Sequence, residues 1–258
     1  MLYLWNELIV NHFKVSALAL LLPCTFAATV AQANPLTLGA SVIYNQSPYK
    51  GGEGRYYPFP IVNYEGDSFY VRSLTAGYYL WKDQENQLSL TLLGSPQNFD
   101  PDDTKDKRLK ALDKRHMTMM GGLTYRHSAE WGIVRTVVAG DMLDNSDGFI
   151  WDLTYLYRFQ LGDLSLTPGI GALYSSDKQN DYYYGVSKSE SRRSGLNSYD
   201  ADGSWNPYLE LTAAYAISPS WNATLAGRYT RLSSEVKDSP MVDNNSQVTL
   251  WTGISYTF

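Results

Sequence analysis

Ser234-Glu235-Val236-Lys237 matches S-x-x-K, in which a lysine one helical turn from a serine helps activate its hydroxyl for acyl transfer. That chemistry needs a helix start under the serine and a partner K-T-G motif. The match falls in a predicted surface loop, and K-T-G is absent. His127-Ser128 places a base beside a hydroxyl, but adjacent residues rarely point at each other and the pair sits in a predicted turn. His116 and His127 are the histidines beyond residue 33, and neither has metal-ligand spacing with another His or Cys. Asp100, Asp102, Asp103 and Asp106 are faintly calcium-like but lack the EF-hand order. A non-enzyme without metal or cofactor is expected. Two groups of residues stay in play. Asp152, Arg158, Glu210, Arg228, Arg126 and Arg135, with Arg72, interrupt otherwise apolar segments. Tyr182, Tyr183 and Tyr184 share one long connection with Arg192 and Arg193, the residue types that anchor contacts.

The elements that carry these groups show a period of two almost throughout. Phe149, Trp151, Leu153, Tyr155, Tyr157 and Phe159 share one face, and Asp152, Thr154, Arg158 and Gln160 lie mostly opposite. Between 164 and 174 one face is Leu164, Leu166, Pro168, Ile170, Ala172 and Tyr174, with Ser165, Thr167, Gly169 and Gly171 on the other. In the last segment Val248, Leu250, Ile254, Tyr256 and Phe258 line up, with Trp251 breaking the pattern. These segments run about 10 to 14 residues, where soluble strands average about 5 to 6 and a tilted membrane strand needs about 9 to 11. Trp81, Trp131, Trp205, Trp221 and Tyr229 stand near segment ends, as interfacial girdles require. The expected fold is all-β, a closed antiparallel transmembrane β-barrel.

The chain has 258 residues, with 21 Tyr, 7 Trp and 20 Gly. Residues 1–33 read as a cleaved export signal: Lys14, an apolar run over 15–22, then the A-x-A site Ala31-Gln32-Ala33. Cys24 raises a lipoprotein reading, which the rigid proline in Leu22-Pro23-Cys24 opposes. Residues 34–258 then form the barrel. Glu7 and Lys14 leave together, so the net charge stays −5, with no basic footprint for nucleic acid.

Strands are expected at 36–44, 57–65, 68–82, 87–95, 116–127, 131–141, 147–160, 163–174, 205–216, 220–230 and 247–258. Eleven is odd, whereas bacterial single-chain barrels have even numbers. About twelve is the reading, with ten as the alternative. Either a strand hides between Asn45 and Tyr56, or the turn at Tyr64-Glu65-Gly66-Asp67 does not open a full crossing. Short turns alternate with other connections, three of which are long: 96–115, 175–204 and 231–246. Barrels put short turns in the periplasm. A periplasmic C-terminus therefore sends all three long loops outside, where 96–115, with five acids and six bases, is a solvated loop near lipopolysaccharide.

Apolar faces toward lipid force the ionisable groups into the lumen, because a charge facing lipid at mid-depth costs about 2–4 kcal/mol. Glu210 and Arg228, on adjacent strands, are positioned to pair. The charges are either a salt-bridged plug or a selective pore lining. The 175–204 loop is either a contact surface or a lid folded over its own tyrosines.

Several motifs run in order through strands and loops alike: Asn63-Tyr64-Glu65-Gly66-Asp67, Gly77-Tyr78-Tyr79-Leu80-Trp81, Leu112-Asp113 with Arg115, and Gly140-Asp141 with Leu143-Asp144-Asn145-Ser146. They continue with Thr167-Pro168-Gly169-Ile170-Gly171, Tyr182-Tyr183-Tyr184-Gly185-Val186-Ser187, Ser194-Gly195-Leu196, Tyr229-Thr230-Arg231-Leu232 and Asp238-Ser239-Pro240-Met241-Val242-Asp243. Over 36–258 the chain resembles the OmpV family of outer-membrane proteins. The resemblance implies a non-catalytic scaffold. Its implied partners are a lytic transglycosylase, which cuts peptidoglycan, and a bifunctional penicillin-binding synthase, which builds it. The alternative left by the residues themselves is a channel for small solutes.

Overall fold

The computed structural model describes residues 36–258; the expected export signal lies outside them. Thirteen strand segments alternate with turns and loops: β1 (Leu36–Asn45), β2 (Arg55–Glu65), β3 (Phe69–Arg72), β4 (Thr75–Lys82), β5 (Asn86–Ser95), β6 (Thr118–Ala129), β7 (Gly132–Asp141), β8 (Phe149–Leu156), β9 (Phe159–Leu161), β10 (Leu164–Ser175), β11 (Ser204–Ala216), β12 (Trp221–Arg231) and β13 (Ser246–Thr257). Each pairs antiparallel with its neighbours, and β1 pairs with β13 from Thr37↔Thr257 to Asn45↔Thr249, which closes the sheet on itself. β8 and β9 lie end to end along β10, interrupted at Tyr157 and Arg158, so the wall has twelve strand positions.

The twelfth position was not in the expected place. Residues 46–54, between β1 and β2, hold no strand, only isolated bridges at Tyr49 and Gly52. The stretch 68–82 is instead a hairpin, β3 and β4, turning at Ser73 with φ 53°. Arg72-Ser73-Leu74-Thr75 contains neither Gly nor Pro, so the turn carried none of the usual signals.

Strand faces follow the alternation. Along β8, Phe149, Trp151, Leu153 and Tyr155 are exposed on the outside, while Ile150, Asp152, Thr154 and Leu156 are buried in the lumen. Trp251, the break in the last segment, points inward and packs against Ile43, Ile61 and Ala226. Five short turns gather at one end of the barrel, and the long loops gather at the other.

Candidate functional site

Four strand positions contribute to an ionic belt across the lumen: Arg135 from β7, Asp152 and Thr154 from β8, Tyr208 and Glu210 from β11, and Arg228 from β12. All are buried. Arg228 donates Nη2 and Nε to Glu210 Oε2 at 2.6 and 3.1 Å. Arg228 Nη1 stands 3.8 Å from Asp152 Oδ2. Arg135 Nη2 lies 3.7 Å from Asp152 and 3.8 Å from Glu210, and donates to Thr154 Oγ1 at 2.7 Å. The Tyr208 hydroxyl donates to Asp152 Oδ1 at 2.8 Å, and the Arg228 guanidinium stacks over the Tyr208 ring at 3.9 Å. Two acids and two bases thus neutralise one another, which a low-dielectric interior demands.

Strand β10 runs between β8 and β11, and the belt crosses it because its luminal residues there are glycines. A Cβ on Gly171 would meet the Tyr208 ring at 2.5 Å, and one on Gly169 would meet Glu210 Cγ at 2.9 Å. Gly171→Val is therefore expected to displace Tyr208 from Asp152 and cost about 1–3 kcal/mol. Urea unfolding in detergent micelles would show it, and an unchanged midpoint would disprove the fit.

The expected pairing of Glu210 with Arg228 is found, with Asp152 and Arg135 in the same belt. Arg126 and Arg158 do not join it. Arg158 stands in the break between β8 and β9, four residues nearer the turn end than Thr154. Arg126 faces Arg135 across the β6–β7 pairing and lies within electrostatic reach of Arg72 and Arg158. Arg72 is bound to Glu65, which also takes Lys82. Tyr208 and Thr154 were missed, since a tyrosine in a barrel strand reads by default as a girdle residue. Their two-residue spacing from Asp152 and Glu210, with the glycines of β10 between, was the available signal.

Above the belt the loops close the mouth. The 176–203 connection holds α1 (Asp177–Tyr184) and α2 (Lys188–Ser194), and the last long loop holds α3 (Ser234–Lys237). Tyr183 and Tyr184 are buried in a hydrophobic cluster with Tyr49, Phe99, Leu112 and Met241, drawn from four of the connections at this end. Tyr182 is partly buried against the same cluster, and its hydroxyl accepts from the His116 N–H at 2.8 Å. Arg192 and Arg193 remain on the outer surface, Arg193 in an ion pair with Asp113. The S-x-x-K match, expected in a loop, lies on α3. Ser234 and Lys237 there are exposed, and Val236 is the residue packed into the cap. In the 96–117 loop, Asp100 and Asp106 bind Lys114 and Arg108.

Glu190 ties two loops together. It accepts from Arg115 Nη2 at 2.8 Å, from the Asp113 N–H at 2.9 Å and from the Ser187 N–H at 3.0 Å. Burial pushes its carboxyl up, but the two backbone N–H groups and Arg115 outweigh that and hold it below the usual carboxylate range. A depressed value means the contribution is complete above the unfolded Glu value and is lost as pH falls through the folded one. Pepsin cleavage within the 176–203 loop should therefore rise as pH drops below about 4. Glu190→Gln should flatten that dependence; if the wild-type and Gln profiles coincide, Glu190 is not the responsible group.

The family model described as MltA-interacting protein MipA matches residues 38–258, nearly all of the described barrel. The chain belongs to the MltA-interacting protein family. It is 48% identical to the MltA-interacting protein of Escherichia coli K12 over 95% of this chain and 99% of that one. It is 45% identical to the putative outer membrane protein YiaT of Escherichia coli O157:H7, over 88% and 93%. The outer membrane protein OmpV of Vibrio cholerae is 31% identical over 66% and 65%. As a member of this family the chain is an outer-membrane barrel, and these relatives carry names of interacting or outer-membrane proteins rather than enzymes.

Proposed function

We propose that this barrel is a sealed outer-membrane scaffold rather than an open pore, and that it joins a lytic transglycosylase to a bifunctional penicillin-binding synthase during peptidoglycan remodelling. The observation that carries the reading is the double closure of the lumen, by the belt and by the loop cap. A solute path needs neither, whereas a platform gains rigidity from both. The similarity to a protein named for its interaction with MltA supports the partner class. In this reading the C-terminus and short turns face the periplasm, where both partners work. The turn end carries exposed carboxylates at Asp67, Asp83, Glu85, Glu130 and Asp163 for them to meet. Detergent-solubilised protein immobilised on beads should retain both enzymes. Changing the five carboxylates to amides should reduce that retention severalfold. Loss of neither enzyme to the beads, under conditions where each binds other partners, removes the proposal.

A further inference from the structure

The hairpin that supplies the twelfth strand position is too short to complete the wall. β3 covers only Asn63, Tyr64 and Glu65 of β2. The last rung is Ser73 N–H to the Val62 carbonyl, and across the hairpin Gly94 N–H reaches the Leu74 carbonyl. At the hairpin β2 and β5 are three inter-strand spacings apart, about 14 Å; beyond its tip residues 55–61 of β2 have no strand on that side among the described residues, and β5 runs on only through Gly94 and Ser95.

The sequence of β2 fits this missing neighbour. Alternate residues of a strand direct their backbone groups to opposite sides. The Val62 carbonyl faces β3, so positions 60 and 58 face the same way, and both are prolines. Proline lacks the N–H that an unpaired edge would expose, and it is confined to such edges. On the loop side the 96–104 segment arches from β5 to β2. It is held by the Gly52↔Thr104 bridge, by Lys105 N–H to the Gly51 carbonyl at 3.1 Å, and by the Arg55–Asp103 ion pair. The result is a window in the barrel wall, framed by β2, the Ser73–Leu74 tip, Gly94–Ser95 and this strap.

A cavity of about 190 Å³ lies behind it, lined by Tyr57 on one edge of the window, by Leu93 and Ser95 on the other, and by Phe99 of the strap. Tyr208 and Arg228 of the belt are its inner limit, and Gln179 and Asn180 place amides opposite the aromatic residues. A dry cavity of about 150 Å³ accepts benzene. We infer that the gap between β2 and β5 above the β3–β4 hairpin is a lateral portal, through which a small uncharged amphipathic molecule of one-ring size enters the cavity from the lipid leaflet at the loop end. The belt stops it there, so the portal serves binding rather than passage. The inference holds whether or not the scaffold reading does.

Cys24 is the sole cysteine, so Leu93→Cys and Ser95→Cys in a Cys24→Ser chain each give one thiol behind the window. The proteins would be refolded into phosphatidylcholine vesicles. They would be treated with N-phenylmaleimide, a neutral one-ring reagent that partitions into bilayers, or with a sulfonated maleimide that does not. With each rate scaled to that of the urea-unfolded protein, the neutral reagent should be at least about tenfold faster at both positions. Leu74→Trp, which enlarges the hairpin tip, should cut that advantage at least threefold. Two positions guard against one variant failing to fold. Equal scaled rates, no labelling by either reagent, or an advantage that Leu74→Trp leaves intact would overturn the portal.

Discussion

Arg228→Met is expected to destabilise the barrel by about 3–5 kcal/mol, because it strands Glu210 and Asp152 in the lumen with one cation between them. Glu210 would lose its 2.6 Å partner, and Arg135, 3.8 Å away, already serves Asp152 and Thr154. The double variant Arg228→Met/Glu210→Leu removes one charge of each sign and leaves Arg135 beside Asp152 at 3.7 Å. It should therefore be more stable than Arg228→Met alone, although it carries one more substitution. Urea titrations of vesicle-refolded protein decide the matter. If the two losses simply add, the belt is not a coupled unit and its neutralisation argument fails.

The second large effect concerns conductance. The belt and the cap lie in series along one lumen, so removing either alone should leave a planar bilayer silent. Replacing residues 178–202 with a short Gly-Ser turn takes away Tyr183, Tyr184 and Glu190 but not the belt. Changing Arg135, Asp152, Glu210 and Arg228 together to serine empties the belt but not the cap. Only the combination should give step-like openings. Current through the loop-deleted barrel with an intact belt would show that the four buried side chains do not block ions. The scaffold proposal would then lose its main support.

The strand faces were legible because each wall strand divides lipid from lumen, and that contrast repeats every second residue. Phe149 to Tyr155 needed no tertiary information. Glu210 with Arg228 was legible too, since neighbouring strands with opposite charges inside an apolar barrel have little else to do. What escaped notice depended on residues distant in sequence. The Ser73 turn is set by where β2 and β5 can pair, not by a local breaker. Tyr208 shares the luminal face with Glu210, two positions on, but its bond to Asp152, 56 positions earlier, over the space Gly171 leaves empty depends on the register of β8, β10 and β11. The tyrosines of α1 could be a contact surface or a lid in sequence terms; only the company of Tyr49, Phe99 and Met241 shows them facing inward.

The pairing of β1 with β13 has a consequence for how the molecule is made. Thr37 and Thr257 hydroxyls meet 2.9 Å apart across 220 positions of chain. Every other neighbour among the described strands is joined by a hairpin or loop, whereas this seam needs the two ends of the described barrel to meet. Contacts of such separation form slowly. Until it closes, the sheet has two bare margins, β1 and β13, each offering a ladder to any stray strand. A chain lacking β13 could not form this seam and would keep two such margins, on β1 and β12.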